Sequence, residues 1–339
     1  MKDNTDTALL DWLFAHGGPI IRWRLVSDFG VPVSKKEAID LKKAVLATDE
    51  VRRWLNNLGG WAIHGSKDTD AENAMAKLVE YGLRAGIPEF DDKMLPYAER
   101  GGQAADCFLI AAGYAEHRDV AARFRKRLAA LRGTALRGDY DLYLPPEDAR
   151  GVPKAWRGKF IYRPEYGWDD KLPLPSCYDL YAMAHWEHGT GAERRKIKDV
   201  VAYVSDPAFQ STTGGYLWNQ EKNTCYSAGR VCLACLNPER MVLSVELFAR
   251  YAVAREATWF QKALSELTQC RTDRGTYLFP SDYLKEKRNS YYIYQGAHMG
   301  LGENRRKRDW IEIESTFRML NIRRLMSSGS VPPERRTAT

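Results

Sequence analysis

Nowhere in the 339 residues do about eighteen apolar side chains run together, so the sequence holds no candidate membrane-spanning helix. Ahead of the first apolar stretch the single Lys2 is outweighed by Asp3 and Asp6. "MKDNTDTALLDWLF" carries acids where a signal peptide carries lysine or arginine, and the expected location is the cytoplasm. Cysteine is sparse: Cys107, Cys177, Cys225, Cys232, Cys235 and Cys270 make no disulfide framework in so long a chain and read as reduced thiols. Cys232 and Cys235 form one C-x-x-C, but a structural zinc site needs a second pair at related spacing. "RVCLACL" reads better as a helix with two small core residues. The Gly-x-Ser-x-Gly elbow, the phosphate-binding loop and the dinucleotide fingerprint are all missing, which leaves serine hydrolysis, nucleotide hydrolysis and nicotinamide chemistry without motif support. Strand signals are few. "KFIYRPEYGW" and "GTYLFP" alternate briefly, each bounded by glycine or proline.

Aromatic residues, by contrast, are plentiful. Ten tryptophans and eighteen tyrosines combine apolar faces with polar edges, the composition of a ligand cavity. The formal charge is +7, with basic clusters at Arg123–Arg127, Arg194–Lys198 and Arg305–Arg308. These clusters lie far apart and alternate with apolar residues as helix faces do. They read as solvated helix surface rather than a nucleic-acid interface, and they are compatible with an anionic group on a substrate.

Helical periodicity runs through most of the chain. "AENAMAKLVEYGL" sets Met75, Leu78, Val79 and Leu83 on one face, which predicts a helix over 71–83, opened by Asp68 or Thr69 and closed near Gly82 and Gly86. Similar patterns occur in "AADCFLIAAGYAEH", "CYDLYAMAHWEHG", "SAGRVCLACL", "MVLSVELFARYAVARE" and "WFQKALSELTQC". The reading is an all-α chain with long loops, one domain over 1–330 and a disordered tail over 331–339. The connections 138–175 and 205–224 are longer than usual, as functional rims are.

A faint recurrence orders these helices. "LGGWAIHGSKDTDAENAMAKLVEYGL" and "TGGYLWNQEKNTCYSAGRVCLACL" each run from a Gly-Gly-aromatic turn through a polar loop into an apolar helix, and "RGTYLFPSDYLKEKRNSYYIYQGAHMGLG" begins a weaker copy. Units of this kind stack because none buries its own apolar face. The pattern resembles the repeats of the prenyltransferase and squalene-cyclase superfamily, and "LLDWLFAHGGPIIRWRLVSDFGVP", "DEVRRWLNNLGGW" and "YIYQGAHMGLGENRRKRDWIEIESTFRML" look like the first and last segments of bacterial members. The resemblance spans about Leu9 to Leu325. It implies an α/α toroid of stacked helical hairpins, with helix entrances around a central cavity.

The same resemblance allows its chemistries to be tested. A squalene-type cyclase uses an Asp-x-Asp-Asp acid, and neither "DTD" (Asp68, Asp70) nor "DYD" (Asp139, Asp141) carries the further aspartate. Diphosphate ionisation needs aspartates spaced for magnesium, and "FDDK" and "WDDK" lack a third acid. Protein prenyltransferases bind zinc through Asp-x-Cys-Tyr-Ser and a distant histidine. "NTCYS" is similar, with Cys225 as the thiol, Asn223 in the aspartate position and His298 as the histidine. An amide in place of the carboxylate weakens such a site, so the first expectation is no cofactor, with zinc at Cys225 and His298 as the lesser one.

A denser group lies in "HGSKDTDAENAM". His64, Asp68, Asp70, Glu72 and Asn73 gather at one helix entrance, and Asp70, Asn73 and Lys77 share a helix face. Acids in a first turn also complement the helix dipole with no catalytic task. As catalysts, Asp68, Asp70, Glu72 and His298 are the acid–base candidates. The expected substrate contacts are His64, Asn73, Tyr178, Asp179, Trp218, Tyr226, Tyr292, Tyr294 and Glu303, although Tyr178 and Asp179 also suit a helix cap. His16, His117, His185 and His188 read as surface histidines. The function expected is an enzyme acting on a small or medium, partly apolar molecule, isoprenoid-like or sugar-like, by acid–base lyase, isomerase or cyclase-like chemistry. A carbohydrate-active barrel and a non-catalytic helical scaffold are the alternatives.

Overall fold

A computed structural model describes residues 4–59, 63–167, 172–187, 189–212, 214–228 and 238–328. Helices dominate: α1 (Asn4–His16), α2 (Pro19–Phe29), α3 (Lys35–Ala47), α4 (Asp49–Asn57), α5 (Ala71–Glu80), α6 (Pro88–Arg100), α7 (Gln103–Leu109) and α8 (Arg118–Arg137) fill the first part. There follow α9 (Cys177–His185), α10 (Gly191–Ser205), α11 (Pro207–Gln210), α12 (Pro238–Phe248), α13 (Ala252–Arg255), α14 (Thr258–Gln269), α15 (Tyr292–Gln295) and α16 (Trp310–Ser328). No helix among the described residues is long and apolar enough to cross a membrane.

The helix boundaries follow local chemistry. Reciprocal capping boxes open α3 (Ser34 with Glu37), α9 (Ser176 with Asp179) and α10 (Thr190 with Glu193). Proline at the first position opens α2, and Gly30 closes it in the left-handed conformation, at φ 68°. At the end of α7 the chain passes into a π-turn over Ile110–Tyr114, and Gly113 at φ 101° breaks the helix expected to continue to 117.

Packing gives the helices their order. α5 lies against α4 and α7, α7 against α9, α9 against α12 and α12 against α16. α16 packs on α1 and α2, α2 on α3 and α3 on α4, so this succession of neighbours returns to α5. α6, α8, α10, α13 and α14 cover the other sides of α7, α9 and α12, directly or through one another. One large apolar cluster joins these elements, and a second joins α1, α2 and α16 around Leu13, Ile21 and Phe317.

The sequence pattern gave α5 one buried face, whereas every residue from Ala71 to Glu80 is buried. Apolar neighbours cover one side. On the other, segment 286–300 and α16 lie against Asn73, Lys77 and Glu80. The helix also stops at Glu80 rather than at residue 83, with Gly82 at φ 82° turning the chain.

A second correction concerns residues 205–228. In place of a loop leading into a helix, β3 (Gly215–Asn219) pairs antiparallel with β4 (Thr224–Ala228), while β1 (Tyr166–Gly167) and β2 (Leu172–Pro173) make a two-residue parallel pair. Asn223 sits in the β3–β4 turn at φ 46°, a conformation asparagine tolerates better than most residues. Within "KFIYRPEYGW", Ile161 bridges to Tyr216 and Tyr162 to Tyr143, and Tyr166–Gly167 form β1, with a turn at 164–165 between them, while Trp168 lies outside the described residues. The helix predicted over 227–236 is contradicted at its start, where Ser227 and Ala228 belong to β4, and its remainder, with Cys232 and Cys235, lies outside the described residues, as do Trp61, His188 and 329–339.

Candidate functional site

Loop 63–70, the first turns of α5 and α9, and segment 285–303 come together in space. Two pairs of bonds tie the loop to the segment. Asp68 and Asn289 exchange reciprocal hydrogen bonds, Asp68 N to Asn289 Oδ1 at 3.2 Å and Asn289 N to Asp68 Oδ1 at 2.9 Å. Asn73 Nδ2 donates to the carbonyls of Ser66 and Ser290, and Asn73 Oδ1 accepts from Tyr292 N at 3.1 Å.

Glu72, fully buried, is the pivot. His64 Nδ1 lies 2.8 Å from Glu72 Oε2, and Tyr178 Oη donates to Glu72 Oε1 at 2.5 Å while standing 3.1 Å from the same His64 nitrogen. The His64 side chain is 57% exposed against 0% for Glu72. Its ring stacks on Tyr291 at 5.3 Å and meets Tyr178 edge-on. The hydrogen bond to Glu72 raises the His64 pKa above its ordinary value, partial burial opposing. Burial, with the charges of Glu72 and Asp70, raises the Tyr291 phenol. The arrangement is an open imidazole held by a sealed carboxylate, with a phenol on the same carboxylate. Such a group can accept a proton and steady the charge it gains.

His298 has a different setting. It is 2% exposed, at φ 58°, with Nε2 3.1 Å from Asp68 Oδ1 and Nδ1 3.3 Å from Glu286 Oε2, and the Trp54 ring meets it edge-on at 5.2 Å. Lys77 Nζ donates to the carbonyls of His298 and Gly300, each at 2.5 Å. Burial alone would raise the Glu286 pKa, but the Lys77 charge, His298 and the Gly300 N–H bring it down to about 2. This cluster binds the returning segment to α5, with His298 and Lys77 buried and the Glu286 and Asp68 side chains partly exposed at its edge.

No protein-family model, curated protein or solved structure matches the chain.

Of the expected site residues, His64, Glu72 and Tyr178 meet directly, and Asp68 joins His298. Asp70 stands at the N-cap position of α5, but its carboxylate turns back to accept from Lys67 N, and a Cβ on Gly65 would run into it. Asp179 caps α9 through Ser176 and takes two bonds from Arg127. Tyr292 donates from a buried position to Glu80 at 2.6 Å, and Glu303 accepts from Gly18 N at 2.5 Å. Trp218 packs on Gly151, Tyr226 is 46% exposed, and the Tyr294 side chain lies outside the described residues.

Cys225 stands on β4 rather than at a helix entrance, in a small cluster with Val152 and Ile161, and burial raises its thiol pKa. That environment opposes the thiolate a zinc ligand must supply. Among the described residues no set of three or more His, Cys, Asp or Glu is arranged to hold a metal ion.

The basic cluster at 123–127 is spent on structure: Arg123, Arg125 and Arg127 pair with Asp106, Glu193 and Asp179. His185, read as a surface residue, is instead packed beside Arg250 and Arg84, and burial with those charges lowers its pKa to about 3. Sequence reasoning missed Glu286 and Trp54. Glu286 lies in "LKEKR", a run that reads as solvated, and Trp54 carries the ordinary spacing of a core residue.

Proposed function

We propose that the chain is an α/α toroid enzyme acting by acid–base chemistry on a small or medium, partly apolar molecule, with His64, Glu72 and Tyr178 as its acid–base centre. The round of packed neighbours from α5 back to α5 supports the toroid reading. The observation that carries the function is the asymmetry of one pair, a solvent-facing imidazole 2.8 Å from a carboxylate with no exposure. With Nδ1–H donating to Glu72, Nε2 carries the lone pair and takes a proton from the substrate. Glu72 then offsets the imidazolium charge, and the same nitrogen returns the proton to the product. Tyr178 fixes the second carboxylate oxygen, so that Glu72 keeps its orientation.

A carbohydrate substrate is the second reading, favoured by the Tyr291 ring beside the base, since a flat aromatic face next to an acid–base pair suits a sugar ring. The test is to incubate the protein with a complex metabolite extract and follow consumption by mass spectrometry, comparing wild type with His64→Asn and Glu72→Gln. Compounds consumed by wild type alone support the reading, and their chemistry separates apolar substrates from sugars. Equal consumption by the variants, or none by wild type, sinks it.

A further inference from the structure

A cavity of about 1040 Å³ lies at the opposite ends of the same helices, bounded by the C-terminal turns of α5, α9, α12 and α16. None of the acid–base residues borders it. Its volume is at the upper end of the range for organic ligands.

The charge on its wall is not balanced by the wall itself. Four acids line it, and each already has an arginine: Asp28 and Glu80 with Arg24, Glu187 with Arg250, and Glu246 with Arg318 beneath. Arg84, Arg194 and Lys198 also line it and form no ion pair among the described residues. Arg84 uses only Nη1, on the carbonyls of Val79 and Leu83, and Arg194 only Nη1, on Gly189 O. Each guanidinium has five N–H donors, so most remain uncommitted.

A neutral donor completes the set. The Tyr251 hydroxyl is buried at the wall with no hydrogen-bond partner among the described residues, and a buried polar group left so is costly unless something satisfies it. Between the charged residues the lining is apolar, with Ile110, Met183, Leu243 and Leu247. Burial lowers the Arg324 pKa to about 10, with Asp28 and Glu187 opposing the fall and Arg24 and Arg250 adding to it.

We propose that this cavity binds an organic monoanion, a carboxylate on an apolar body, whose head meets Arg84 and the Tyr251 hydroxyl while its body lies along the aliphatic wall. A single charge fits better than a phosphate dianion. The helix ends facing the cavity are C-terminal, with negative partial charge, and Glu80 and Glu246 stand within it. Guanidinium groups bind carboxylates through paired N–H donors, which favours this head group over a neutral one.

Titration calorimetry on the full chain, with decanoate, decyl phosphate and decanol below their aggregation thresholds, decides it. Decanoate binds with one site per chain, decanol at least tenfold more weakly and decyl phosphate more weakly than decanoate. Arg84→Gln and Lys198→Gln weaken decanoate, the first by about tenfold. Tyr251→Phe also weakens it, while the melting temperature of the unliganded protein stays equal or rises, because an unsatisfied hydroxyl has been removed. His64→Asn leaves decanoate binding intact, which keeps this site separate from the acid–base centre. Absence of decanoate binding, equal affinity for decanol, or unchanged binding in both Lys198→Gln and Tyr251→Phe overturns the site. Tighter binding of decyl phosphate overturns the single-charge assignment.

Discussion

The Glu72 carboxylate, sealed from solvent, holds the ring of His64, which faces it, at 2.8 Å. The signature of this contact is a His64 pKa above the ordinary histidine value. An NMR titration of the ring proton shows that elevation in wild type and its loss in Glu72→Gln. The stability linked to it has a fixed sign. A raised folded-state pKa stabilises the native protein fully below the unfolded histidine pKa, and that contribution fades as pH rises through the folded value. Urea unfolding from pH 5 to 8 shows this component in wild type and not in Glu72→Gln.

Glu314 shifts stability in the same direction, by burial rather than by a hydrogen bond. It is 1% exposed, and although Leu301 N and Glu303 N donate to Oε1, burial lifts its pKa to about 7. The native state therefore binds a proton that the unfolded chain has released, and stability falls as pH rises from the ordinary glutamate pKa through about 7. The loss is on the order of 3 kcal/mol. Glu314→Gln flattens this descent in urea unfolding at pH 5 and pH 8, and an undiminished slope in that variant rules the assignment out.

Arg318 carries the most heavily buried charge, with Nη1 2.6 Å from Glu80 and 2.7 Å from Glu246, and Nη2 on the carbonyl of Met299. Arg318→Met leaves Glu246 without its counter-charge and Glu80 with Arg24 alone, at a cost of about 3–5 kcal/mol. Adding Glu80→Leu and Glu246→Leu to that variant restores most of it, because the uncompensated charges go too. Chemical denaturation of the single and triple variants measures both steps.

The Asp68 and Asn289 exchange predicts local loosening rather than collapse. Asp68→Ala removes the acceptor of Asn289 N–H and the carboxylate beside His298, while the residue 68 N–H can still donate to Asn289 Oδ1, for a loss of about 1–3 kcal/mol. Hydrogen exchange is expected to quicken over 286–300 and stay unchanged in α8 and α10. Uniform acceleration would refute the clamp.

Much of the fold was legible because its helices obey local rules. The periodicity of "AENAMAKLVEYGL" and the capping chemistry of "PSCYD" are properties of contiguous residues, and both reappear in α5 and α9. Glu72 and His64 could be named together because they stand at one helix entrance, eight residues apart. Their partner Tyr178 comes from another helix, and no spacing announces that contact. Cys225 was misplaced since its Gly-aromatic context serves a hairpin equally well, and only the pairing of Trp218 with Cys225 distinguishes the two. His185 was misread as exposed because a histidine near a helix end gives no sign of the arginines that other elements bring beside it.

The stripe of Asn73, Lys77 and Glu80 bears on how the protein comes to be made. Its partners are supplied more than two hundred positions downstream, by Ser290, His298, Gly300 and Arg318. A nascent polypeptide released only as far as α12 therefore lacks the two carbonyls that Lys77 meets and the Arg318 partner of Glu80. The buried polar stripe of α5 is completed only once residues 290–318 have been synthesised.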